Sequence, residues 1–205
     1  MTATSGLRAD AARNRRLLLD AAAAEFAEHG ADVSISRIAA RAGIGKGTVF
    51  RHFATKERLL AAVFNDRIED LIATGRRLLE AADPRAALLE FMVAGAGLRI
   101  GDRSLCQSAA SIARTEADVR DATLRLAEVA EALTARARET RAVRADVTGH
   151  DIVLLVGAVS QATAPLGDAV PGLWRRYLHL MFAGLDPSVE TPLPVPPPVP
   201  ADFAP

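Results

Sequence analysis

The stretch from Val33 to Phe53, VSISRIAARAGIGKGTVFRHF, constrains this chain more than any other. Its apolar spacing and glycines fit two short helices joined by a tight turn. Ser34 is placed to cap the first helix, because its side-chain oxygen accepts from backbone N–H groups that an opening turn leaves unpaired. Ile35, Ile38, Ala39 and Ala42 then share one face at helical spacing. Gly43 ends this helix, since glycine enters the left-handed backbone of a helix C-terminus without a Cβ penalty, and Ile44 follows to fill the angle between the helices. Gly45 and Gly47 leave the backbone bare at the start of the second helix. Free N–H groups and the positive dipole end favour a phosphate there, and Lys46 adds a full charge. Val49 and Phe53 point inward at i and i+4, while Thr48, Arg51 and His52 share the opposite face. That outward face is small, polar and basic, with the donors that base edges and phosphates accept.

The run A-x-x-A-G-I-x-K-G-T-V-F-R-H-F, followed by x-x-K-E-x-L-L, resembles the DNA-binding domain of the TetR family of transcriptional regulators. With the helix before it, the resemblance covers roughly the first quarter to third of the chain. It implies an all-α fold: a three-helix DNA-binding domain whose second and third helices form a helix-turn-helix, a long connecting helix, and a C-terminal helical domain for ligand binding and dimerisation. Carried over by position, Lys46, Gly47 and Thr48 open the recognition helix, Arg51 and His52 are its later DNA-facing positions, and Lys56 opens the fourth helix. Ser36 and Arg37, on the first helix of the pair, complete the expected DNA contacts. Phe50 departs from the family, which more often has tyrosine there. Phenylalanine keeps the packing but loses the hydroxyl that bonds a phosphate. Taken alone, the same stretch also fits an ordinary helical hairpin with a basic solvated face. The turn, the glycines, the basic positions and the following Lys-Glu-x-Leu-Leu together favour DNA.

Charge supports that choice. The chain of 205 residues has no net charge, yet residues 1–56 hold nine Lys/Arg against five Asp/Glu, and the remainder sixteen against twenty. Only the N-terminal part has the balance a polyanion partner requires, which disfavours a protein that coats DNA along its whole surface. Half of the residues are apolar, enough to bury a core in one large or two small domains.

Residues 1–9 are small and polar and are expected to be disordered. Helix one follows, with Leu18, Ala22 and Phe26 every four residues and Gly30 as its stop; Arg13, Arg15 and Arg16 gather at its expected start. Residues 10–56 therefore form the expected DNA-binding domain. Thr55 caps helix four, which is predicted to run to about Ala82, before Asp83-Pro84. Residues 57–185 form the expected regulatory and dimerisation domain, helical in period throughout. Its further helices are predicted at Arg85 to Leu98, Ser104 to Thr115, Ala117 to Thr140, Gly149 to Ala164 and Pro171 to Ala183. The last two are the most apolar, and small residues at Gly157, Ala158 and Ala162 allow close helix approach. They resemble the pair that forms the TetR-family dimer interface, so a homodimer on a palindromic operator in double-stranded DNA is expected. Residues 186–205 hold eight of the eleven prolines and are expected to be an extended, disordered tail.

An effector site is expected among Phe91, Met92, Cys106, Gln107 and Trp174, where apolar residues mix with Gly95, Gly97 and Ser108. That composition suits a small, largely apolar effector that releases a repressor from DNA. Enzyme chemistry lacks a signature. The four histidines lie far apart without metal-ligand spacing, and GIGKGT lacks the spacing and the preceding strand of a phosphate-binding loop. No metal or cofactor is expected. Cys106 is a redox thiol or small core filler. The rival readings are a helical enzyme or carrier with a C-terminal pocket, and an architectural DNA-binding protein without a ligand. A lone cysteine excludes an intrachain disulfide, and no stretch resembles a secretory signal or a membrane span, so the cytoplasm is the expected location.

Overall fold

Helix periodicity dominates the sequence, and the computed structural model, which describes residues 3–30, 32–101, 116–189 and 191–199, contains helices and no strand among those residues. In chain order they are α1 (Ala3–His29), α2 (Ile35–Ala42), α3 (Lys46–His52), α4 (Lys56–Leu78), α5 (Pro84–Gly101), α6 (Ala117–Glu139), α7 (Gly149–Thr163) and α8 (Leu173–Ala183), with one 3₁₀ turn at Ala164–Leu166. The chain divides into two units. One comprises the described residues of Met1–Arg67 and Gly101–Arg120, the other those of Ile68–Ile100 and Asp121–Pro205. α4 runs without a break from the first into the second.

In the first unit Leu18, Ala22 and Phe26 of α1 are fully buried, as are Ile38 of α2, Val49 of α3 and Leu59 of α4. Each large apolar side chain removed from water in this way contributes about 1.5–3 kcal/mol. α1 differs from expectation at its start: it begins at Ala3, so residues 3–9 are helical rather than irregular. Ala3, Ala9, Ala11 and Ala12 are strong helix formers, and extending an established helix adds one hydrogen bond per residue fixed. Arg13, Arg15 and Arg16 consequently lie inside the helix, where the dipole no longer opposes them.

α4 is shorter than its sequence suggests, ending at Leu78 instead of near Ala82. Glu80 N donates to Arg77 O and Ala81 N to Leu78 O, the tightened pattern of a helix that is ending, and Pro84 biases the residue before it away from helix. Arg136 of α6 takes the freed Ala81 carbonyl.

The second unit is built on close helix crossings. A Cβ on Gly75 of α4 would lie 2.4 Å from Val129 Cγ1 of α6 and 3.0 Å from the Phe91 ring of α5. α7 starts with a capping box in which the Thr148 hydroxyl accepts from Asp151 N and Asp151 accepts from Thr148 N. α8 starts at Leu173, two residues after the predicted Pro171, because Gly172 takes a left-handed backbone with φ 81°. The segment 191–199 has neither helix nor strand. Buried Arg144 ties its beginning down, pairing with Asp146 through two hydrogen bonds and donating to Thr191 O at 2.9 Å. The predicted helix from Ser104 to Thr115 lies outside the described residues, as do Cys106, Gln107 and Ser108.

Candidate nucleic-acid interface

The turn between α2 and α3 forms as its residues dictate. Ser34 caps α2, its hydroxyl accepting from Arg37 N at 3.3 Å. Gly43 adopts φ 66°, and the N–H groups of Gly43 and Ile44 return to the carbonyls of Ala40 and Ala39 at 3.1 Å. These two bonds satisfy carbonyls that the helix end would leave unpaired. Gly43 is thus required by backbone conformation.

Gly45 and Gly47 are not. Neither has a positive φ, and a Cβ on either would meet nothing within 4 Å. Gly45 is the N-cap of α3, a position that suits glycine, and both glycines leave open space beside the backbone at the start of that helix.

α3 is anchored by Val49, which is fully buried, and by Phe53, 7% exposed, while Lys46, Gly47, Phe50 and Arg51 are exposed and Thr48 and His52 half-buried. Arg51 Nη2 donates to Thr48 Oγ1 at 2.8 Å. The long guanidinium arm therefore stands braced along the helix, with its remaining N–H groups outward. Lys56 is half-buried at the first position of α4, and Thr55 caps that helix, its hydroxyl accepting from Arg58 N at 3.2 Å. Phe50 departs from expectation. A side chain that was to keep the packing is 46% exposed, because one step along a helix turns position 50 about 100° away from Val49.

Ser36 and Arg37 lie exposed on α2, but the Arg37 head is engaged within the unit. Its Nε donates to Glu25 Oε2 at 2.7 Å, and its Nη2 donates to His29 Nε2 at the same distance. Since Arg37 can only donate, His29 accepts through Nε2 and carries its proton on Nδ1, which lies 3.3 Å from Glu25. Arg41, one turn further along α2, donates to Glu25 Oε1 at 3.2 Å and makes two bonds to Glu28, at 2.8 and 2.7 Å. Burial raises the Glu25 carboxyl, but the hydrogen bonds from Arg41 and Arg37 outweigh it and hold the group below its ordinary range. Glu28 is likewise lowered, chiefly by its hydrogen bond from Arg41.

Sequence reasoning missed this network. The signal was Glu25 beside Phe26 at the edge of an apolar stripe, with two arginines four residues apart on the next helix. Glu25, Glu28 and His29 bring their ligand atoms within 4.8 Å of one another, a spacing a cation can use. The guanidinium groups of Arg37 and Arg41 already supply the positive charge there.

Of the arginines early in α1, Arg15 lies over the Phe53 ring at 5.2 Å from its centroid, and Arg16 pairs with Asp20 at 3.0 Å and Asp66 at 3.2 Å. They hold α1 to its neighbours.

The expected effector residues fall elsewhere. Phe91, Met92 and Trp174 are 4%, 0% and 8% exposed, in the packed interior of the second unit. Gly95 is in ordinary contact with Val156 and Leu71, so it closes a helix crossing, whereas Gly97 has open space around it. A polar feature that the sequence did not point to is Asn65 of α4, whose buried Oδ1 has no hydrogen-bond partner.

Comparison with known proteins agrees with this arrangement. Residues 18–63 match the family model for bacterial regulatory proteins of the tetR family, and residues 83–187 match that for the C-terminal domain of SbtR-like transcriptional regulators. Similar solved structures include a TetR transcription regulatory protein from Mycobacterium vanbaalenii, 33% identical over 88% of this chain and 99% of that one, with a TM-score of 0.67. A TetR transcriptional regulator from Streptomyces coelicolor is 25% identical over 85% and 99%, with a TM-score of 0.69. The TetR-family regulator PfmR from Thermus thermophilus is 26% identical over 82% and 98%, with a TM-score of 0.60.

Proposed function

This chain belongs to the TetR family of DNA-binding transcriptional regulators, and from that premise we propose that it is a homodimeric repressor of a palindromic operator, released by a small, largely apolar effector. The observation that carries the DNA side is the outer face of α3, where Lys46, Gly47 and Arg51 are exposed while Val49 and Phe53 anchor the helix. Residues 10–56 are the DNA-binding domain, with Lys46 and Lys56 on phosphates and Thr48, Arg51 and His52 toward the bases. Ser36 presents an exposed hydroxyl on α2, and Arg37 fixes α2 through Glu25. Residues 57–185 are the regulatory and dimerisation domain, and residues 186–205 a tail beyond it. No helix among the described residues is long and apolar enough to cross a membrane, in keeping with a regulator acting in the cytoplasm.

Dimerisation is supported by apolar surface that the single chain leaves exposed. Leu154, Ala158 and Ala162 follow one another at four-residue spacing along the exposed side of α7, and Tyr177 and Leu180 are about half exposed on α8. Such side chains on two neighbouring helices bury well against a two-fold copy of themselves.

The effector reading is supported by the apolar surroundings of Phe91, Met92 and Trp174 within the second unit. A ligand acts only through a difference in affinity between two states, so it must prefer the arrangement of heads that does not fit the operator. α4 connects the two functions covalently. The test is to select operator duplexes with the full-length protein, then screen metabolites and drugs for compounds that both raise its melting temperature and release that DNA. Compounds that stabilise the protein while leaving operator affinity unchanged would refute the release mechanism.

A further inference from the structure

Of the 25 Lys and Arg in the chain, two are lysine, Lys46 and Lys56, and the rest are arginine. Both lysines lie within residues 10–56. Arginine suits a phosphate at least as well, since its planar fork gives two parallel hydrogen bonds and its charge is permanent. Phosphate binding alone therefore does not select lysine. What lysine has and arginine lacks is an amine that can be acylated, with loss of its charge. The surroundings of the two lysines differ. Lys46 is exposed between Gly45 and Gly47, both also exposed, and a Cβ on either glycine would meet nothing within 4 Å. Among the described residues Lys46 has no ion-pair partner. Lys56 is half-buried, with the carboxylate of Glu57 next to it along the chain. Lys46 is thus the open amine, flanked by bare backbone that a bulky acyl donor can approach.

We propose that Lys46 is an acylation site, modified directly by an acyl thioester, and that the modification weakens the hold on DNA. In this step Nζ, as the free amine, attacks the thioester carbonyl carbon. An amide N–C bond forms, the C–S bond breaks, and the proton lost from nitrogen ends on the departing thiolate. The cation becomes a neutral amide, and one phosphate in each half-site loses its counter-charge. This rests on Lys46 facing a phosphate, as in the DNA-binding reading above. It gives the regulator a second input, the supply of activated acyl groups, distinct from an effector in the second unit.

The experiment incubates the full-length protein with acetyl-CoA at mildly alkaline pH, follows Lys46 and Lys56 by peptide mass spectrometry, and reads operator affinity by fluorescence anisotropy. Lys46 is expected to be acetylated ahead of Lys56. Operator affinity should then fall about fivefold per half-site at physiological salt, and the slope of log affinity against log salt by about one for each lysine neutralised. Lys46→Arg, compared before and after the same treatment, should show no change. Lys46→Gln, neutral like the acetylated side chain, should bind as treated wild type does and should not respond further. Because Lys46 is exposed, the melting temperature of both variants should stay near that of wild type. Acetylation of Lys56 ahead of Lys46, an unmodified Lys46, or a Lys46-acetylated protein with undiminished operator affinity would overturn the proposal and leave the regulator reading intact. Failure of the untreated protein to select any sequence would overturn that reading, and this inference with it.

Discussion

Glu25 of α1, only 4% exposed, accepts a 2.7 Å hydrogen bond from Arg37 Nε of α2, so a buried carboxylate sets where the first helix of the reading pair lies. Arg41 binds the other Glu25 oxygen, and the Schellman-type turn at Gly43 passes that position on to α3. Arg37 thereby fixes the placement of α2 against α1.

Acid should loosen the head by way of this pair. The carboxyls of Glu25 and Glu28 are held below their ordinary value of 4.5, so their contribution to folding is complete above about pH 4.5 and disappears as pH falls through the depressed values. Circular dichroism melts between pH 7 and pH 3 should show wild-type stability declining below pH 4.5. Glu25→Gln should melt lower at pH 7 and decline less on acidification, since it has no charge to lose. Parallel pH curves for the two proteins would show that the network contributes nothing to stability.

Lys46 and Lys56 should act as point charges. Replacing either by Ala should weaken operator and unrelated DNA by similar factors and reduce the slope of log affinity against log salt by about one. A salt titration decides it: an unaltered slope in Lys46→Ala would remove Lys46 from the phosphate contacts.

Thr48 and Arg51 should behave as a coupled pair. Arg51→Ala is expected to cost about 1 to 3 kcal/mol on the operator and relax selectivity at one base position. Thr48→Val deletes the hydroxyl that accepts from Arg51 at 2.8 Å and should relax the same position, while Thr48→Ser should restore it. Were Thr48→Val to leave the base preference intact, the bracing would have no part in recognition.

Gly149 should resist even a methyl group. A Cβ there would lie 2.4 Å from Glu131 N and 2.5 Å from Glu131 Cα, backbone atoms of α6 that cannot swing aside, and Gly149 N donates to Glu131 Oε2 at 2.6 Å. Helix propensity alone makes Gly149→Ala favourable by about 1 kcal/mol. Overpacking costs about 1–3 kcal/mol or more, so the variant should melt below wild type in calorimetry. A higher melting temperature would mean that α6 and α7 lie further apart.

Ala158 tests the dimer more cleanly than Gly157. Ala158 is exposed on α7, whereas the space at Gly157 is bordered by Arg99 of α5 at 3.9 Å. Ala158→Glu should halve the mass seen by light scattering, because an unpaired charge is costly in a close helix contact. Truncation after Thr191 should leave the mass at the dimer value. A dimer that survives Ala158→Glu would put the interface on another face.

Local physics was enough to read much of this chain. The caps at Ser34 and Thr55, the left-handed Gly43, the buried Val49 and Phe53 and the order of the helices depend on residues within a few positions of one another, and their signals are written contiguously. The end of α4 was misplaced because it depends on how the last turn tightens before Pro84, a matter of a few hydrogen bonds that periodicity does not register. Phe50 was misjudged because a pattern of apolar residues says which positions can be buried, whereas exposure depends on how far a seven-residue helix is covered. The links from Glu25 to Arg37, from Gly75 to Val129 and from Gly149 to Glu131 join residues 12, 54 and 18 positions apart, and a sequence does not state which distant groups meet. Helices, caps and the anchoring of α3 by Val49 and Phe53 were therefore set by neighbours along the chain. The partners of the charges and the positions where only glycine fits were set by packing, because desolvation and steric exclusion act between atoms that the fold alone brings together.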